Sequence, residues 1–517
     1  MIPANLLDTY DALVPALDRV TDARVKSLAE PRRVQVSHVS QDESIDSIED
    51  LPAHKIIAAI DAIGPREFRS FVNKVPFTGL VKQEPRKALA ALLYLAKKDE
   101  HPIGYWKQIL QDWPEIDDST THRVLLRRLG LLPKDVLTEI SHALSSWFDK
   151  FLVTMLKDNE EALWFAFDEF VDAIWQSEED VAKSSIVDTT RGGRSLNLSR
   201  RTYGHAINSP AGKLTGCLFK QLQAMNLERG EGVPDFIKSR FGKLTSLGGE
   251  GQDHAVVMLS RFVDWMLWFD SDWTVNNVIP WFDLKHENSE PAWNGFISRS
   301  MVPNIVLLEH IQEHLKHLFP ELYKWSWGEG ERKVAAQIIT ELGMPHEVAP
   351  AALVPQDFKK SIRNMKNSQR CEAIHYLGVA GKKDGGKWKE RVIPFINNVW
   401  PREKKLRTKA EIQAWINLLT HSKEALPELL ECAKWCLAPV QLDPYWTQQL
   451  THDYGQEEPI TSAYPDEILE LCYLVTPDTT IGLPIYLEDV LDLIEQAKPE
   501  LVKDRRFQHL LDLIESA

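Results

Sequence analysis

The chain has 517 residues, 44% apolar and 26% charged, with a formal net charge of −15. Those proportions belong to a folded protein with room for roughly three domains, and they exclude general disorder and a uniformly basic nucleic-acid coat. No apolar run reaches the roughly 18 residues that a membrane span needs; the longest candidate, 255–269, is broken by Ser260, Arg261 and Asp264.

In chain order, the first predicted element is a strand over Arg33–Val39, where Val34 and Val36 alternate with polar residues. From there on the periodicity is helical. Leu89, Leu92, Leu93 and Ala96 follow the i, i+3, i+4, i+7 rule, as do Leu487, Val490, Leu491 and Ile494, and Phe507, Leu510, Leu511 and Ile514. Each set is an apolar stripe that must face a neighbour. Prolines recur at 85, 133, 234, 303, 320, 355, 401 and 499, and Thr408-Lys-Ala-Glu411 reads as a capping box. Many short-linked helices without a strict repeat predict an all-α fold, an irregular α-solenoid of stacked helix pairs. The expected divisions are an N-terminal arm (1–47), a helical subdomain (48–180), a Trp-rich helical core (200–343) and a C-terminal helical subdomain (344–517). The polar stretches 37–49, 178–199, 247–253 and 328–331 are the linker candidates. Segment 255–269 is apolar nearly all round and is expected between two layers. Trp265, Trp268, Trp273 and Trp281 crowd one region and are expected in a core, with each indole N–H satisfied at its edge.

Motifs with chemistry are sparse. Gly212-Lys213-Leu-Thr215 and Gly242-Lys243-Leu-Thr245 lack the earlier glycine of a phosphate loop and a preceding strand. Gly232-Val-Pro-Asp-Phe236 echoes a sirtuin nicotinamide-site phrase, but no Gly-rich turn precedes it. His310, His314 and His317 form a stripe that two-histidine metal binding could use, against a plain polar flank. Glu139/His142 and Glu372/His375 have the spacing of the di-iron helix motif, which requires two further glutamates. Cysteines 217, 371, 432, 436 and 472 are odd in number and scattered, which predicts buried thiols. No metal or cofactor is expected from these patterns.

The main anomaly is charge. Residues 357–409 carry fifteen basic and five acidic side chains, net +10, whereas residues 410–517 are net −14 and residues 1–356 net −11. The candidate polyanion- or partner-binding residues are Lys359, Lys360, Arg363, Lys366, Arg370, Lys382, Lys383, Lys387, Lys389, Arg391, Arg402, Lys404, Lys405 and Arg407. A basic island in an acidic chain fits a polyanion, an acidic protein surface, or a solvated face. Lys359, Arg363, Lys366 and Arg370 fall at i, i+4, i+7, i+11, so a single helix would point all four outward, anchored by Phe358, Ile362 and Met365.

Several phrases carry a resemblance: Arg32-Arg-Val-Gln-Val-Ser37 with Asp42-Glu-Ser44, Tyr105–Trp113, His205-Ala-Ile-Asn-Ser-Pro-Ala-Gly-Lys-Leu-Thr215, Asp272–Asp283, Ala292-Trp-Asn-Gly-Phe296 and Pro394–Arg402. Together they resemble the uncharacterised helical C-terminal region of large bacterial sirtuin-like antiphage defence proteins. The NAD-cleaving sirtuin domain has no counterpart in the sequence. The resemblance implies a cytoplasmic, non-catalytic sensor or interaction module that acts on an effector or phage protein and regulates an activity located elsewhere. The alternatives are a nucleic-acid-binding subunit of a defence complex, contacting DNA through the basic island, and a hydrolase using Glu372 and His375.

Overall fold

The computed structural model describes residues 40–63, 72–177, 181–187, 190–191, 194–196, 198–300, 303–345, 355–383, 386–451 and 459–517. The strand expected over Arg33–Val39 lies outside the described residues. The chain divides into two compact units, 1–116 and 117–517, so the boundary falls inside the segment 48–180 that the sequence suggested as one subdomain. Among the described residues the fold is all-α apart from two short strand pairs. No described helix is long and apolar enough to cross a membrane.

In the first unit β1 (Ser40–Asp42) pairs in parallel with β2 (Val72–Lys74), Gln41 opposite Asn73. Around them lie α1 (Ala53–Ile63), α2 (Pro76–Gln83), α3 (Pro85–Ala96) and α4 (Ile103–Gln111). Proline opens both α2 and α3, where its missing N–H costs nothing. Leu89, Leu92 and Ala96 of the α3 stripe are buried, and α3 packs on α1, α2 and α4.

The second unit is a succession of helices that pack mainly on neighbours one or two elements along the chain. Its first members are α5 (Ser119–Leu129), α6 (Lys134–Glu139) and α7 (Ser141–Trp175), the last kinked at Asn159. Next come β3 (Thr190–Arg191) and β4 (Arg194–Ser195), an antiparallel pair, then α8 (Pro210–Ala224), α9 (Asp235–Leu244), α10 (Gly249–Arg261) and α11 (Ser289–Ile297). They are followed by α12 (Glu329–Gly343), α13 (Pro355–Asn364), α14 (Asn367–Lys382), α15 (Ile393–Asn398), α16 (Lys409–Thr420) and α17 (Leu426–Ala433). The unit closes with α18 (Pro465–Val475), α19 (Leu487–Ala497) and α20 (Arg505–Glu515).

Contacts run α5–α7–α8–α10–α11–α12–α14–α16–α17–α18–α19 and α20, a one-dimensional order suited to a stacked array. Its irregularity comes from inserted short helices and from lengths between four and 35 residues. Two expected linkers are not linkers: 247–253 and 328–331 run into the first turns of α10 and α12. Acidic and small polar residues favour helix N-termini as well as loops, so composition alone does not separate the two.

Residues 253–260 of α10 are all buried, because α8, α9 and α11 pack against that helix. This places the start of the apolar segment between neighbours, as its pattern requires. The helix breaks at Phe262 (φ −103°, ψ 16°), and a new one begins at Val263. A side chain at Gly295 would collide with the Val257 carbonyl, so that glycine sets the close approach of α10 and α11. The four crowded tryptophans depart from expectation. Trp268 is 44% exposed and Trp265, Trp273 and Trp281 are only partly covered, while Trp106, Trp147, Trp293, Trp327, Trp400 and Trp415 fill cores. A helical stripe of aromatics says which residues share a face, and the neighbours decide which face is covered.

Candidate basic edge of the C-terminal helices

The basic island spans α13 to the start of α16. Two helices that carry it, α14 and α16, and the preceding α12 lie side by side and run in the same direction. Gln369 Nε2 donates to Glu329 Oε1 (2.7 Å), Gln337 Nε2 donates to Glu372 Oε1 (2.7 Å), and Glu341 interacts with Tyr376. Between α14 and α16, Thr408 Oγ1 donates to Asn367 Oδ1 (2.8 Å), Arg370 pairs with Glu411, and Gly378 lies beside Leu418. Pairing in increasing order at every level means that the three N-termini share one edge and the C-termini the opposite edge.

This geometry divides the island in two. Arg402, Lys404, Lys405 and Arg407 lie in the segment that leads to the Thr408 cap, and Lys409 is the first residue of α16. Lys366 occupies the N-cap position of α14, its backbone N–H donating to Gln369 Oε1 (3.1 Å) and its ammonium 4.7 Å from the Tyr323 ring centroid. Arg363 reaches the same edge from the end of α13 and donates to Glu403 (2.6 Å). Lys359 and Lys360 lie a turn back along α13, half-buried and exposed respectively.

The second group, Lys382, Lys383, Lys387, Lys389 and Arg391, sits at the far end of α14. A 16-residue helix separates the groups by about 24 Å.

The two groups are not electrostatically alike. At the C-terminal edge, Lys389 pairs with Glu428, Arg391 with Glu341 (2.8 Å), and Lys382 occupies the last turn of α14, where the helix dipole favours a cation. At the N-terminal edge the dipoles have the same sign as the side chains. Glu329 and Glu331 compensate the start of α12, Glu403 engages Arg363, and Glu411 is taken up by Arg370 and the Thr408 cap. Lys366, Arg402, Lys404, Lys405 and Lys409 remain exposed there, and no carboxylate pairs with them in the described ion pairs. Arg402 stacks 5.0 Å from the Trp435 ring centroid. The Nε of Arg407 is buried without a hydrogen bond.

The single stripe expected for Lys359, Arg363, Lys366 and Arg370 is broken. Helix α13 stops at Asn364, Lys366 is extended (ψ 168°), and α14 starts at Asn367. Arg370 points inward, only 8% exposed, donating to Glu411 and the Met365 carbonyl. The Asn364-Met-Lys-Asn367-Ser368 run is the available signal, since Asn and Ser favour helix ends. Phe358, Ile362 and Met365 are buried, as the anchoring stripe requires.

Other candidates dissolve or shift in space. His310 and His314 stand on the helix Ile305–Leu315, but His317 caps the next helix, and His314 Nδ1 is 4.0 Å from Asp283. Glu139 ends α6 while His142 belongs to α7, so the one-helix motif is interrupted at Ile140. Glu372 and His375 do share α14; the Glu372 carboxylate accepts from Gln337 and lies 3.6 Å from Lys333, and His375 is exposed. No group of three His, Cys, Asp or Glu among the described residues could hold a metal ion. All five cysteines are free thiols, buried or half-buried. Burial raises Cys371 to about 11 and Cys432 and Cys472 to about 12, and it raises Cys217 and Cys436 as well. Protonated thiols of this kind are poor nucleophiles. Lys213 lies inside α8, donating to Ser146 Oγ (2.8 Å), with no strand–loop before it.

One polar cluster escaped sequence reasoning. Arg200 pairs with Glu250, and Arg201 with Asp253 (2.9 Å) and Glu290 (3.6 Å). Glu290 also accepts from Ser199 Oγ (2.6 Å) and Trp327 Nε1 (3.2 Å), and Asn294 accepts from the Tyr203 N–H. Desolvation raises Asp253 to about 6 against the pull of Arg201, and lowers the fully buried His254 to about 4. The cluster ties the segment before α8 to α10, α11 and the start of α12. Its members lie up to 128 residues apart in sequence (199 to 327), so no local pattern reveals it.

No family model matches the chain, and no curated protein sequence matches it. Among solved structures, the crystal structure of an engineered protein aligns with 12% identity over 85% of this chain and 98% of that one. Its TM-score of 0.26 is too low to bear on fold or function.

Proposed function

We propose that the chain is a non-catalytic helical interaction module that docks through the N-terminal edge of α14 and α16. We further propose that it is a sensor or regulatory arm of a bacterial antiphage defence system whose effector activity resides elsewhere. The observation that carries the docking surface is the accumulation of exposed cations, outside every described ion pair, where the helix dipoles are also positive. Such an arrangement is self-repelling in the isolated chain and relaxes when an anionic surface covers it. The defence context rests on the sequence resemblance at 205–215 and 272–296. Glu372 bridges α14 to α12 through Gln337 and Lys333, a positioning role that favours this reading over hydrolysis at Glu372/His375.

The test is phage plating on cells that carry the complete system. Reversal of Lys366, Arg402, Lys404, Lys405 and Lys409 to Glu is expected to abolish protection while the protein accumulates to its normal level. Undiminished protection by that variant would refute the reading.

A further inference from the structure

We infer that the partner of this edge is the phosphate backbone of double-stranded nucleic acid, bound without sequence readout; the inference rests on the reading of the edge as the docking surface. Three observations select this partner. First, Val379 is the one exposed large apolar side chain among the described residues of 355–409, and it stands in the last turn of α14, about three helical turns from the edge. A protein partner ordinarily needs aromatic or aliphatic anchors at the centre of its contact, and the edge offers none. Second, two rings at the edge, Tyr323 and Trp435, are covered by Lys366 and Arg402. Single strands are gripped by stacking bases on open aromatic faces, so covered rings favour a duplex whose bases stay inside. Third, the neighbouring cations project from the starts of two adjacent parallel helices. Packed helices lie 8 to 10 Å apart, so the edge presents positive charge in a row rather than at a point, as a sugar–phosphate strand requires.

The structure also assigns the contact to one edge and not to the whole island. Lys382, Lys383 and Lys387 lie about 24 Å away, beside the negative ends of the same helices. In the sequence these lysines are indistinguishable from the edge set.

The experiment uses the purified full chain and fluorescence anisotropy of a short mixed-sequence DNA duplex across a salt series. Each neutralised phosphate contributes about −0.9 to the slope of log K against log salt, so five contacts give about −4.5. The single variants Lys404→Glu and Lys405→Glu should each flatten that slope by about 0.9, and the fivefold edge variant should lose binding with an unchanged circular dichroism spectrum. The triple variant Lys382→Glu/Lys383→Glu/Lys387→Glu should bind as the wild type does. The single variants decide the matter even if the fivefold variant misfolds.

Four results would overturn the inference: no duplex binding at low salt, tighter binding of the corresponding single strand, equal loss in the far-end triple variant, or displacement of DNA by polyglutamate at matched charge. The last would point to an acidic protein partner. Absent DNA binding together with edge-dependent phage protection would sink this inference and leave the proposed function standing. Undiminished protection by the edge variant would sink the docking surface itself.

Discussion

Replacement of Arg370 separates two pictures of the same residue. Helical periodicity extended from Lys359 makes Arg370 an outward contact, whereas the structure buries it against Glu411, which has no solvent exposure. Removing one partner of a buried ion pair costs about 3–5 kcal/mol, because the other charge is left without compensation. Glu411 keeps the bond from the Thr408 N–H at 3.0 Å, which holds the expected cost of Arg370→Ala near the lower figure, about 3 kcal/mol. The Met365 carbonyl also loses a donor. The double variant Arg370→Met/Glu411→Leu removes both charges. It should recover most of the loss, leaving about 1 kcal/mol for the broken capping box. Because a chain of this size need not unfold in one step, hydrogen exchange of peptides spanning 367–420 is the suitable assay. A loss of 3 kcal/mol reads as a roughly hundredfold drop in protection of α14 and α16. An Arg370→Ala protein with protection within about twofold of wild type, and with weakened partner binding, would refute the buried assignment.

Asp253 and His254 should act in opposition during acid titration. Asp253 is raised from 3.8 to about 6, so its contribution to stability is present below the lower value and lost as pH rises through 6. His254 is lowered from 6.5 to about 4, so its contribution is present above 6.5 and lost as pH falls through 4. Asp253→Asn removes the compensating term and should make stability fall by up to about 3 kcal/mol more than in the wild type between pH 7 and pH 4; equal pH dependence of the two melting curves would contradict the assignment. Gly295→Ala should destabilise the α10–α11 contact by about 1–3 kcal/mol through overpacking on the Val257 carbonyl, and a variant that melts with the wild type would count against that close approach. Thr408→Ala should cost about 1 kcal/mol, read as increased exchange at the first turn of α16.

The sequence by itself determined the helical class, the apolar stripes at 89–96 and 487–494, the Thr408–Glu411 cap, the inert cysteines and the existence of a basic island. Each is a local property, set by periodicity, by side-chain chemistry within one turn, or by composition. Only the tertiary structure decided that the island is two groups. That outcome depends on α12, α14 and α16 running parallel, so that positions 366 and 402–409 meet while Lys382, Lys383 and Lys387 stand at the opposite ends of the same helices. The break at Met365–Lys366, the inward turn of Arg370 and the partial exposure of Trp268 have the same origin. A helix fixes the angular spacing of its side chains, but which side becomes interior depends on neighbours tens of residues away. The Arg200–Arg201 cluster is the extreme case, assembled from the segment before α8, from α10, from α11 and from Trp327, with charges that are affordable inside only because their partners arrive from distant parts of the chain.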